Sequence, residues 1–144
     1  MNSFSVVRTF VAQLPYGSDL YDSLTQFIQH ENIKLGRISG IGAVTHSVVA
    51  YYDQSAKKYI TLEFNGGMEI LSLQGNISLR DGKPFVHAHI TLADADGKVF
   101  GGHLFPGTKV FACEVSIDEF EGEELVRGFD ESTGLWLWKD CKLL

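Results

Sequence analysis

The feature that most limits what this chain can fold into is its punctuation. Turn-forming clusters interrupt it about every ten residues: Pro15-Tyr16-Gly17, the stretch 53–58, Asn65-Gly66-Gly67, Arg80-Asp81-Gly82-Lys83-Pro84 and Asp94-Ala95-Asp96-Gly97. Between them lie short runs rich in β-branched and aromatic residues. A chain cut in this way folds as one antiparallel or mixed sheet curling on itself. Its 144 residues match the usual size of one domain, and no linker, repeat or low-complexity stretch divides them. Residues 1–144 are therefore expected to form a single domain.

Strands are expected at 5–14, 35–38, 47–52, 59–64, 68–79, 85–93, 99–103, 110–117 and 135–138. A small-residue corner falls at 39–43, Asn65-Gly66-Gly67 is a tight turn, and Gly75-Asn76 is a candidate bulge. One helix is expected. Ser18 or Asp19 caps it, Leu20, Leu24, Phe27 and Ile28 form its apolar stripe, and it stops near Glu31-Asn32.

Charge narrows the partners. The net charge is −6 and the pI about 5.2, whereas a protein that lives by phosphate contacts needs a basic face. The densest basic point is Lys57-Lys58, while residues 114–124 carry a run of carboxylates with no base, read as a solvated edge. Cys113 and Cys141 show no CxxC spacing and read as small apolar residues with reduced thiols. No apolar run approaches the roughly 20 residues of a membrane span, and the start lacks an export pattern. The expected location is the cytoplasm, with no membrane partner.

The most distinctive chemistry lies in the histidines. His87 and His89 are two apart in a strand, so they share a face. His103 joins them or not according to the hairpin between. A two-residue Asp96-Gly97 turn would pair Ile90 with His103 and turn His103 away. A three-residue loop, Ala95-Asp96-Gly97, would pair His89 with His103. The second suits the sequence better, because Asp94 fits the first position of a type I turn and Gly97 the left-handed residue that follows it. Three neutral imidazoles on one face suit zinc or another first-row divalent metal and leave a fourth position open. The plainer alternative is a solvated strand whose imidazoles bond nearby backbone.

Other candidates are weaker. Gly101-Gly102 gives backbone freedom beside His103, but no helix start follows to make a phosphate cradle. Glu114 is a candidate catalytic base beside a metal-bound water, or else an ordinary surface or ion-paired strand residue. His30 suits a helix end, and His46 reads as exposed or hydrogen-bonded. Leu135-Trp136-Leu137-Trp138 presents apolar groups on both faces of a short strand, covered either by another chain or by a loop.

These residues resemble a known family. The segment from Gly66 to Ser78 is similar to the "EILSL-G" stretch of PPC (plants and prokaryotes conserved) domains. His87-Ala88-His89, then Gly97, then Gly101-Gly102-His103-Leu104 is similar to the "HxH … G … GGHL" block of their bacterial and archaeal branch. Gly40-Ile41-Gly42-Ala43-Val44 also fits. The resemblance covers roughly residues 5–140 and implies a strongly curved, mainly antiparallel sheet packed with one main helix, an α/β domain of the α+β type. It further implies a homotrimer and a metal on His87, His89 and His103. Plant relatives add an AT-hook, and bacterial ones are often labelled DNA-binding. Here there is no AT-hook, Gly36-Arg37 is an isolated pair, and Gly67 stands where plant forms tend to carry Arg. The expected function is thus a trimeric metal- and small-ligand-binding module. The alternatives are a DNA-binding or DNA-associated protein, resting on analogy, and a metal-dependent hydrolase or lyase.

Overall fold

The structure, a computed structural model, describes residues 3–139 and 141. In chain order its elements are β1 (Ser5–Leu14), α1 (Leu20–His30), β2 (Gly36–Asp53), β3 (Lys58–Arg80), β4 (Lys83–Ala93), β5 (Val99–Leu104), β6 (Lys109–Glu121), β7 (Arg127–Asp130) and β8 (Leu135–Trp138). Six strands form one sheet in the order β1-β6-β2-β3-β4-β5, and β7-β8 is a separate hairpin. Every strand pairing is antiparallel, and the one parallel contact among the described residues is the bridge Leu79↔Val126.

The sheet curls into a closed barrel because β2 is long enough to serve two neighbours on one edge. Its first part pairs with β6, from Gly36↔Glu119 to His46↔Lys109. Further along, Val49 and Ala50 pair with Leu104 and His103 of β5. Both β2 and β3 exceed the usual strand length, at 18 and 23 residues. Their ladder slips at Gly40/Gly42 and at Val44/His46, and such irregularities bend a strand.

This corrects three expectations. Asn65-Gly66-Gly67 is not a turn: it lies within β3, and Gly66, at φ +105°, sits where the ladder slips. The small-residue corner at 39–43 likewise lies inside a continuous β2. In both places glycine marks a bend in a paired strand rather than the end of one. Gly75-Asn76 is no bulge, since the register runs unbroken from Ser72↔Thr91 to Arg80↔Lys83. The β7 strand was not foreseen.

The helix matches its reading. Asp19 caps it by accepting from Asp22 N at 3.1 Å, and its other oxygen accepts from Gly107 N at 2.6 Å. The helix ends at Glu31, and Asn32 turns out at φ +54°. Leu20, Leu24 and Ile28 are buried in the same core as Ile38, Val49, Leu73, Ile77, Ile90, Leu92 and Leu104 from the strands. The acidic stretch is mostly solvated as expected, with Glu114, Glu121, Glu123 and Glu124 exposed; Arg8 pairs with Glu119 and Arg37 with Asp118 at 2.7 Å on β6, and Lys34 with Glu124 at 2.8 Å beyond it. No described helix is long and apolar enough to cross a membrane.

Candidate metal centre

Alternation along two strands sets the site. In β4, Val86, Ala88 and Ile90 are buried in the core, which turns His87 and His89 to the outer face. In β5, Leu104 is fully buried, so its neighbour His103 also faces outward. The hairpin between them is the three-residue form: Asp94 N donates to Lys98 O at 3.0 Å and Gly97 N to Asp94 O at 3.0 Å. Asp94 Oδ1 accepts from Asp96 N and Lys98 N, both at 2.9 Å, and Gly97 takes φ +75°. The register that follows is His89↔His103.

Gly101 lets β5 come this close. A Cβ there would fall inside the van der Waals shell of the Ile90 carbonyl. What approaches these glycines is therefore a neighbouring strand.

The three rings face one another, with centroids 5.0 to 5.4 Å apart. Each offers a nitrogen, and no two of these nitrogens are farther apart than 4.8 Å. His87 Nε2 and His89 Nε2 stand at 3.3 Å. Ligands of tetrahedral zinc, at 2.0–2.1 Å from the metal, are about 3.3–3.4 Å from one another, so this pair has the right spacing. The buried Nδ1 of His103 has no hydrogen-bond partner among the described residues. Burial pushes the imidazoles of His87 and His103 down to about 4, helped at His87 by Arg127 and His89, and at His103 by His87, His89 and Arg127. Both are neutral at pH 7, the form that binds metal.

Aromatic rings wall one side. Tyr59 lies 5.0 Å from the His103 ring and Phe105 5.2 Å from it, and Tyr52 supports Tyr59 at 5.0 Å while donating its hydroxyl to Thr133 O at 2.8 Å. His89 is exposed, which leaves a way in from solvent. On the His87 side the β7–β8 hairpin packs over β3 and β4 through Arg127. Its Nε donates to Ser78 Oγ at 2.8 Å, Nη1 to Trp136 O at 2.9 Å and Nη2 to Asn76 Oδ1 at 2.6 Å. Asn76 is the cross-strand partner of His87. Sequence reading missed Arg127, and its one signal was a lone cation in an apolar run.

The remaining candidates lie elsewhere. Glu114 is exposed on β6, with β2 and β3 between it and β4, about 14 Å across the sheet at normal strand spacing. It lines a shallow groove with Val11, Ile41 and Leu71. His30 bonds Glu31 at 3.1 Å, and His46 bonds Asn65 at 3.1 Å and Glu63 at 3.0 Å. Cys113 is fully buried and its thiol is pushed up to about 11, first by burial and then by Glu114, so it is no nucleophile at neutral pH. Trp136 and Trp138 are half-buried over Arg80 and Arg127.

Fold and site together define a class: a small antiparallel barrel with a single helix and a preformed cluster of three imidazoles on its outer wall. The chain belongs to the family of the Plants and Prokaryotes Conserved (PCC) domain, also written PPC, whose model matches residues 1–121. Three solved structures share the fold. A metal-containing protein from Archaeoglobus fulgidus is 46% identical, covers 96% of this chain and 97% of its own, and has a TM-score of 0.90. A plant- and prokaryote-conserved protein from Pyrococcus horikoshii is 38% identical, covers 99% of both chains, and has a TM-score of 0.93. A candidate DNA-binding protein from Bacteroides thetaiotaomicron is 26% identical over 96% of this chain and 98% of its own, with a TM-score of 0.85. Two Synechococcus proteins named bifunctional protein GlmU are 30% and 29% identical over 130 residues; the chain spans about a fifth of their length.

Proposed function

We propose that this protein is a metal-binding module in which His87, His89 and His103 hold zinc or another first-row divalent ion and leave a coordination position for a small molecule. The observation that carries this is the 3.3 Å spacing of the His87 and His89 nitrogens, with His103 completing a set no wider than 4.8 Å. Neutral imidazoles in a half-buried site and a likeness to a metal-containing archaeal protein support it. The module works as a homotrimer. Val11 and Ile41 are 77% and 59% exposed, and with Leu71 they border the groove on the outer face of β1, β6, β2 and β3. Ser39, Ser72, Gln74 and Ser116 share the groove, so the apolar part that a second copy would cover is the trio Val11, Ile41 and Leu71.

The DNA-binding label stays with the Bacteroides protein; a net charge of −6 and the carboxylates of β6 do not favour phosphate contacts by this chain. The test of the metal reading is elemental analysis of protein purified without a metal-affinity tag, beside the His87→Ala/His89→Ala variant. About one metal per chain is expected in the parent and none in the variant. A parent that holds no metal after zinc is added and excess removed would end this reading.

A further inference from the structure

Beside the histidines, and sharing His87 with them, lies a cavity. It measures about 570 Å³ and opens between the outer face of β3–β4 and the β7–β8 hairpin, with His87, Asn76, Arg127, Leu137, Trp138 and Lys139 in its lining. That volume is typical of small-molecule sites. Arg127, in its wall, is only 6% exposed. Each of its three hydrogen bonds goes to a neutral oxygen: a hydroxyl, a backbone carbonyl and a side-chain amide. A guanidinium has five N–H groups, so one on each terminal nitrogen has no hydrogen bond among the described residues. Among the described residues this buried cation is held only by neutral acceptors, a costly arrangement unless an anion joins it.

The surroundings raise the local positive charge further. Arg80 and Arg127 each lie 5.4 Å from the Phe85 ring, and Arg80 sits 4.5 Å over Trp136. The Lys139 side chain crosses Gly128, where a side chain would collide with it. Leu137, Trp138 and Phe129 add apolar surface to the lining, and Asp130, which accepts from Thr133, is the one carboxylate among its described residues.

We propose that this cavity binds a small organic oxyanion, a carboxylate or a phosphate ester, with its oxygens on Arg127, its apolar body against Leu137 and Trp138, and its free end towards His87. The planar fork of arginine matches both oxyanions. The inference deepens the metal-binding reading by naming the class of molecule that would reach the open coordination position, but capture of the anion by Arg127 needs no metal.

The test is isothermal titration of the full chain, metal-free and zinc-loaded, with benzoate, phenyl phosphate and the neutral isostere benzamide. One or both anions should bind at least about tenfold more tightly than benzamide. Arg127→Lys, shown folded by circular dichroism, should weaken the anion by about ten- to a hundredfold through loss of the fork. The better of the two anions identifies the source chemistry. Benzamide binding as well as the anions, or no binding of either anion to either form, would overturn the proposal. The anion-against-amide comparison uses the parent chain, so it stands even if Arg127→Lys does not fold. Zinc uptake without anion preference sinks this inference alone. Anion preference without zinc uptake sinks the metal reading alone.

Discussion

Single residues decide how the site answers to pH. His87 and His103 stay neutral in the folded chain down to about 4, whereas the unfolded chain protonates them near the ordinary 6.5. Between those values the unfolded state binds more protons than the folded one, so acid favours unfolding. Above pH 6.5 both states are neutral at these positions and their contribution is flat. Urea denaturation of metal-free protein should therefore show stability falling as pH drops from about 6.5 towards 4. The His87→Gln/His103→Gln variant, which cannot titrate there, should show a shallower fall. A parent and variant with identical slopes would mean that burial does not hold these imidazoles neutral. At this scale the sequence was informative for donors and silent for their surroundings. His87 and His89 announce themselves by spacing, and Asp94 and Gly97 by turn chemistry. Arg127 does not, because its partners Asn76 and Ser78 lie about fifty residues away and no local pattern encodes such a contact.

Elements carry the next level of argument. Helix α1 and the β4–β5 hairpin were legible because their signals are local: a cap, an apolar stripe, a turn of defined type. The long strands β2 and β3 were not. Their glycines look like breaks, yet neighbouring strands supply hydrogen bonds straight through them, and pairing with distant partners overrides local punctuation. The close approach of β5 to β4 rests on a glycine of the opposite kind, one that yields space. Gly101→Ala would force a side chain against the Ile90 carbonyl and push β5 away from β4. The expected cost is about 2–3 kcal/mol, read as a lower denaturation midpoint. Metal uptake should fall with it, because β5 carries His103. If Gly101→Ala matches the parent in both, the close approach does not hold β5 in register.

For the whole molecule the question is how many chains make the working unit. The sequence pointed to Leu135-Trp136-Leu137-Trp138 as surface in need of cover. Both tryptophans rest on Arg80 and Arg127 while Leu137 stays exposed, and more exposed apolar residues stand at Val11 and Ile41. Sedimentation of the parent should give the mass of three chains of 16.0 kDa. Ile41→Glu, which sets a charge on the exposed face, should shift it towards one chain without unfolding it. A parent that sediments as a single chain would remove the trimer. The alternation that turns Val86, Ala88, Ile90 and Leu104 inward is also what turns three imidazoles outward, so the donors inherit their aim from the core. An ancestral barrel with none of these histidines could therefore gain the cluster by three point changes at outward positions, leaving its interior untouched. Descendants could lose it as readily while keeping the fold. Within such a lineage, shape would be the heritable constant and metal chemistry the trait that comes and goes.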